Sequence, residues 1–522
     1  MRLRATSSPR CAERSLTRGL TRSSIAGAGL LLVVGFLLHA PALELGELMH
    51  EEGRRVLPAR AMQESGDWLL PTIWGKAYLA KPPLFFWLAA LLAELRGAVV
   101  GALDVRGVSV LSTLLTALLV GAVGRRAWGN GWGLAAGLLF LTLPASLQKG
   151  SLGELEALLG LCVFAASWAS WRAVDEGGWF LPAGLALGLA LLCKGPPAWV
   201  LVLAPLALRS LRERRWRPLL GPPTLGMLAL SALPLGLWVL ALERELGSEL
   251  LASTWGEELG GGGASGALHY LKVRLAFAFG LLGAFLPLPL LWWRARRGES
   301  GRPRDPLLDT ALCMVGASAL FFLLWPRTAS RYAYPSAGWA ALASVGYLRA
   351  LVARGVWSPL LLRKLLLAWL LCAQVYQLAR PWLRSRDDVL PALAASIDAS
   401  LPPQATLHMG LWRDFNLASY FEHPARWVDG YQIADLEAGA HVLVDGTYAE
   451  RLLRQHRSRP PGRDLCRAPA APAARRLGGR PARRARGGAP AGAPRASAPL
   501  RGGWRVQTQW GGRKLSSPAA RR

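Results

Sequence analysis

Glu51, Glu52, Lys81, Glu154, Glu156, Lys194, Glu257 and Arg331 all stand at the edges of long apolar stretches, where charge is costly. A carboxylate in such a place can take a proton from a hydroxyl. A lysine or arginine there can balance negative charge as it develops. The plain alternative is that each side chain merely reaches back to the membrane surface from a helix end. All eight fall on one side of the topology derived below, and that shared sidedness favours a site.

The elements that must position these residues are helices in a membrane. The chain has 522 residues, 52% apolar and only 18% charged. Its apolar residues are blocked into runs such as 25–43, 131–148, 219–242, 268–293 and 356–379. About 20 residues of helix span the ~30 Å of hydrocarbon, and lipid offers no partner for exposed backbone groups, so these runs must be helical. The expected fold is an all-α polytopic membrane protein with about 11–13 transmembrane helices. Residues 1–24 form a basic cytoplasmic N-terminus ahead of a retained first helix, because 25–43 is longer than a secretory core and no small-residue cleavage site follows.

The net charge of +28 does not point to nucleic acid, since it resides in short loops and two tails rather than on one face of a folded domain. The six cysteines show no paired spacing, which argues against a disulfide framework or a zinc site.

Loops rich in lysine and arginine stay cytoplasmic. Segments 209–217 and 294–304 each carry five arginines and define that side. The acidic segments 44–83 and 243–267 fall outside, as outer loops of a transmembrane domain over 25–380. Two apolar stretches, 84–103 and 107–124, separate the first outer loop from Arg125 and Arg126. Two full crossings would put those arginines outside, so either one stretch is short, re-entrant or interfacial, or the arginines depart from the rule. Residues 179–208 then read as a hairpin with Lys194-Gly195-Pro196-Pro197 at its tip.

Past residue 380 the pattern changes. Residues 383–450 carry a helical period near 387–399 and short apolar strands near 405–409 and 440–445, the mark of a small α/β domain outside the membrane. Residues 456–522 are Arg, Ala, Pro and Gly with almost no large aliphatics, and are expected to be disordered.

In the first outer loop, Glu51-Glu52-Gly53-Arg54 is followed by Ser65-Gly66-Asp67-Trp68 with Pro71, then by Lys81-Pro82-Pro83. Further on come Lys149 to Leu159, Lys194-Gly195-Pro196, and Trp325 to Pro335 with its Arg331-Tyr332. This ordered set resembles the lipid-A aminoarabinose transferase and protein O-mannosyltransferase family, membrane glycosyltransferases of the GT-C superfamily, over roughly residues 25–380. The resemblance implies a sugar donor carried on undecaprenyl phosphate or a related polyprenyl phosphate. It also implies a lipid, glycan or protein acceptor, and a bacterial inner membrane with the chemistry on the periplasmic face.

By that resemblance Glu51 occupies the family's aspartate position and is the candidate base, with Glu52 and Glu154 beside it as catalytic candidates. Lys81 and Arg331 are assigned to the donor phosphate, with Arg54 and Lys194 in support. Glu156 and Glu257 are acceptor or secondary residues. Ala80 stands where the family often has glutamate, so the sugar itself is left open. The sequence calls for no cofactor and leaves a divalent metal open. Two other readings compete: a transporter or flippase of lipid-linked substrates, and a family member that has lost catalysis.

Overall fold

The computed structural model describes residues 22–43, 46–214, 217–247, 267–296, 305–325, 328–384, 389–409, 415–427, 441–444, 498–499 and 505–508. Glu257, the basic N-terminal segment 1–21 and most of 456–522 lie outside them. The chain divides into two compact units, one of residues 1–45 and 79–384, the other of 46–78 and 385–522.

The helices in chain order begin with α1 (Arg22–His39), α2 (Gly53–Ser65), α3 (Leu84–Arg96), α4 (Ala102–Trp128), α5 (Asn130–Thr142) and α6 (Pro144–Lys149). There follow α7 (Leu155–Glu176), α8 (Phe180–Lys194), α9 (Pro197–Glu213), α10 (Pro222–Leu246), α11 (Ala267–Ala284) and α12 (Leu288–Arg296). The last are α13 (Pro306–Leu324), α14 (Ala337–Ala353), α15 (Pro359–Arg384), α16 (Leu390–Ala399) and α17 (Phe415–Ala418). All but α2, α16 and α17 belong to the first unit.

This is a multi-pass membrane protein. Among the described residues, six helices are long and apolar enough to cross a bilayer, or seven if the bent pair α11 and α12 is one span. This count rests on length and composition alone, and leaves out α8, apolar but only 15 residues long, and α9 and α14, of 17 residues each. Two runs read as single segments are broken. Residues 268–293 bend by 81° between α11 and α12, beside Pro287, which has no N–H to continue the ladder. Residues 131–148 break at Leu143, ahead of Pro144, into α5 and α6.

Helix α3 settles the crossing problem near Arg125. It has 13 residues, and both of its ends are tied to one end of the bundle. Pro82, just before it, lies beside Gly195. Arg96 at its far end makes two 2.9 Å hydrogen bonds to Asp104 in the first turn of α4. The same end of α4 reaches Glu154, through a Ser109 Oγ bond to the Glu154 carbonyl. At the opposite end of α4, Arg125 donates to Ser24 at the start of α1, and Arg126 pairs with Glu176. Ion pairs mark this second belt: Asp175–Arg209 at 2.9 Å and Asp305–Arg349 at 2.7 Å. The 22 residues of α7 separate the two belts by about 33 Å.

Small residues bring α4 and α5 close. A Cβ at Gly133 would stand 2.5 Å from the Gly121 carbonyl oxygen and 2.6 Å from the Arg125 backbone nitrogen. Elsewhere the bundle presents leucines outward. Leu360, Leu367, Leu371 and Val375 on α15 are exposed, as a lipid-facing helix requires.

In the second unit, segment 46–78, which sequence reading assigned to the transmembrane domain, packs with the C-terminal residues. Leu57, Ile73 and Trp74 share a core with Leu390, Ala394, Leu407, Met409, Leu417 and Phe421. Strand β3 (Leu407–Met409) pairs in parallel with β4 (Ala425–Trp427) and with β5 (His441–Val444). Strand β5 pairs in parallel with Arg505–Thr508, which pairs antiparallel with Ala498–Pro499. The expected helix and strands of this domain are thus present as α16, β3 and β5. Strands β1 (Thr72–Ile73) and β2 (Lys76–Ala77) form a hairpin over Trp74-Gly75, both at positive φ. Trp74 is not an ordinary residue for that conformation. Stacking against Phe415 and Trp427, each at 5.5 Å, holds it there, with a 2.8 Å bond from the Trp427 N–H to its carbonyl.

Candidate active site

The first unit gathers five of the expected residues at the end of the bundle that holds Glu154. Glu156 lies in the first turn of α7, where a carboxylate also meets the positive end of the helix. Its Oε1 accepts from Lys194 Nζ at 3.2 Å and is 3.9 Å from Arg331 Nε. Lys194 is the last residue of α8. Gly195 follows at φ 82°, a left-handed turn that closes the helix under the Pro196-Pro197 start of α9. Arg331 and Tyr332 come from a 3-10 turn, Ser330–Ser336, that leads into α14. The Tyr332 ring serves both cations, with Lys194 Nζ 4.5 Å from its centroid and the Arg331 guanidinium 5.5 Å.

Beside this group, Lys149 Nζ donates to Glu154 Oε2 at 2.6 Å. The Glu154 carboxylate is only 1% exposed, and its Oε1 has no hydrogen-bond partner among the described residues. Burial works against the charge on Arg331, but Glu156, Tyr332 and Glu154 outweigh it and raise its pKa above the ordinary arginine value. Two carboxylates and three cations at close quarters make a site able to hold an anionic group and release it with its charge balanced. Lys81 lies just before α3, its Nζ 2.7 Å from the Ala80 carbonyl oxygen.

The second unit holds Glu51, Glu52 and Arg54. Glu51 Oε2 accepts from Arg54 Nη1 at 3.2 Å and is 3.8 Å from Arg55 Nη2. Its carboxylate remains about one-quarter exposed, so it can meet a hydroxyl. Glu52 is different. It is fully buried, and its Oε2 accepts the Met49 N–H at 2.8 Å, which closes the turn leading into α2. Arg54 stacks on Phe415 with its guanidinium 4.6 Å from the ring centroid.

Sequence reading did not single out Arg55, and it gave Lys149 and Tyr332 only as parts of motifs. Arg55 is buried and donates to the Tyr78 hydroxyl at 3.2 Å. Its spacing of four from Glu51 on a helical start was the available signal. Arg274 on α11, also missed, donates to the Trp325 carbonyl at 2.7 Å and so braces the segment leading to Arg331. Arg380 grips the turn that carries Lys149, donating to the Leu147 and Gln148 carbonyls at 2.6 and 3.3 Å. No local pattern announces either arginine, because both act across long sequence separations.

Residues 80–238 match the family described as dolichyl-phosphate-mannose-protein mannosyltransferase. The undecaprenyl phosphate-alpha-4-amino-4-deoxy-L-arabinose arabinosyl transferase of Pseudomonas aeruginosa is 33% identical over 223 residues, 41% of this chain and 40% of that protein. A transferase of the same name from Sodalis glossinidius is 32% identical over 339 residues, 61% of this chain and 58% of its own length. These matches thus span between two-fifths and three-fifths of the relatives. The crystal structure of ArnT from Cupriavidus metallidurans bound to undecaprenyl phosphate superposes with a TM-score of 0.60 at 20% identity. It covers 78% of this chain and 86% of that one. The fold is of the GT-C type. In sequence the chain resembles the polyprenyl-phosphate sugar glycosyltransferases that share this architecture.

Proposed function

We propose that the protein is a membrane glycosyltransferase that moves a sugar from a polyprenyl-phosphate carrier to a hydroxyl on a lipid, glycan or protein. The observation that carries this reading is the cluster of Glu156, Lys194, Arg331 and Tyr332 on a GT-C fold. Cations already balanced by a carboxylate and an aromatic face suit a phosphate that gains negative charge as its bond to the sugar breaks. Lys81 and Arg331 take the donor phosphate, with Lys194 and Arg54 in support. Glu51 accepts the proton of the acceptor hydroxyl, the oxygen attacks the sugar's anomeric carbon, and the polyprenyl phosphate leaves with the bonding electrons. Glu154 and Glu156 hold the cations in place. The related transferases support a bacterial inner membrane; in this reading the reaction takes place on its periplasmic face.

A panel of radiolabelled polyprenyl-phosphate sugars, supplied to membranes holding the wild-type chain, Glu51→Gln or Lys81→Ala, tests this reading. Wild-type transfer from one donor, abolished by both substitutions at equal protein level, is the expected result. Transfer that survives Glu51→Gln would remove the base assignment. The absence of transfer from every donor would remove the enzyme.

A further inference from the structure

Glu51 follows a residue in an uncommon conformation: His50 has φ 51°, in the left-handed region that a side chain with a Cβ seldom adopts. Something must hold that backbone, and the C-terminal unit supplies it. The Gly53 N–H donates to Asn416 Oδ1 at 2.8 Å, and Asn416 Nδ2 donates to the His50 carbonyl at 3.3 Å. One side chain therefore grips the chain immediately before Glu51 and two residues after it. A carbonyl can only accept and an N–H can only donate, so the pairing needs both halves of a carboxamide in this orientation. Approach is close enough to exclude a side chain at Gly53, where a Cβ would stand 2.2 Å from the Phe415 carbonyl oxygen. Phe415 itself carries the Arg54 guanidinium on its ring, and Arg54 is the partner of Glu51.

We propose that Asn416 is a positioning residue for the transfer reaction, clamping the His50–Gly53 turn so that the Glu51 carboxylate is presented in one orientation. This rests on Glu51 being the base, and it gives the C-terminal α/β segment a direct part in catalysis. Misplacing a reacting group by about 1 Å can cost around a hundredfold in rate. Asn416→Ala should therefore lower kcat by about tenfold to a hundredfold, with KM for the lipid-linked donor unchanged. Asn416→Asp keeps an acceptor for Gly53 but has no donor for the His50 carbonyl, so Gly53 should stay protected from exchange while kcat falls.

The experiment is a cycle of Asn416→Ala, Glu51→Gln and the double variant in full-length protein, with amide hydrogen exchange over residues 46–56 measured on each. If Asn416 acts through Glu51, the double variant is no slower than Glu51→Gln alone, and Asn416→Ala accelerates exchange at Gly53. Wild-type kcat in Asn416→Ala, or losses that multiply in the double variant, would overturn the proposal. So would a wild-type kcat in Asn416→Asp, a variant that keeps only the Gly53 half of the clamp. If Glu51→Gln alone retains full transfer, the base assignment falls, and the clamp is then judged by exchange at Gly53, which fails if Asn416→Ala leaves it protected.

Discussion

Lys194 meets a carboxylate and an aromatic face at once, 3.2 Å from Glu156 and 4.5 Å from the Tyr332 centroid. The Lys194 and Glu156 side chains are both largely buried, 17% and 7% exposed. Removing the lysine should leave Glu156 short of charge in a site from which water is largely excluded. Lys194→Met is expected to destabilise the protein by about 3 kcal/mol, read as a lower unfolding temperature in detergent. Adding Glu156→Leu should recover part of that loss, because a broken buried pair costs more than one replaced on both sides. A double variant as unstable as the sum of the singles would show that the two residues do not act as a pair. Residue chemistry of this kind was only half legible in the sequence. Glu156, Lys194 and Arg331 stand at helix ends and could be picked out there. Tyr332, although adjacent to Arg331, gives no sign that its ring faces both cations.

At the scale of elements, the α4–α5 seam depends on the missing side chain of Gly133, whereas a Cβ at Gly131, on the same helix, meets nothing within 4 Å. Gly133→Ala should cost about 1–3 kcal/mol from overpacking, and Gly131→Ala should not destabilise. Equal unfolding temperatures for the two variants would contradict the close approach. In the sheet of the second unit, the His408 imidazole is held below its ordinary value of 6.5 by burial, with Arg426 and His441 adding to the effect. The unfolded chain therefore binds this proton more readily than the native one. Stability contributed by neutral His408 is intact above pH 6.5 and declines as pH falls below it. His408→Gln should flatten this part of the profile of unfolding temperature against pH, and an unchanged slope would assign the dependence elsewhere. Periodicity located α16, β3 and β5. It did not find the break at Leu143 or the bend before α12, because an apolar run conceals a proline-driven corner when residues on both sides are equally apolar.

The whole molecule combines a membrane unit, with polar belts at the two ends of its long helices, and a second unit built from two distant stretches of chain. Apolar patterning made the first of these readable, and the stretch before Arg125 includes the short helix α3. The second was not readable, because nothing in residues 46–78 announces a core shared with residues 390–421. That shared core is what brings Asn416 and Phe415 to the turn bearing Glu51. The central claim is the chemical identity of the donor, a sugar on a polyprenyl phosphate. Its most direct test is to supply membranes with the donor selected by the panel and quantify the lipid product against the sugar transferred. The account predicts one polyprenyl phosphate released per sugar moved, with both lost together in Lys81→Ala. Sugar transfer without release of the lipid phosphate, or release unaffected by Lys81→Ala, would contradict it.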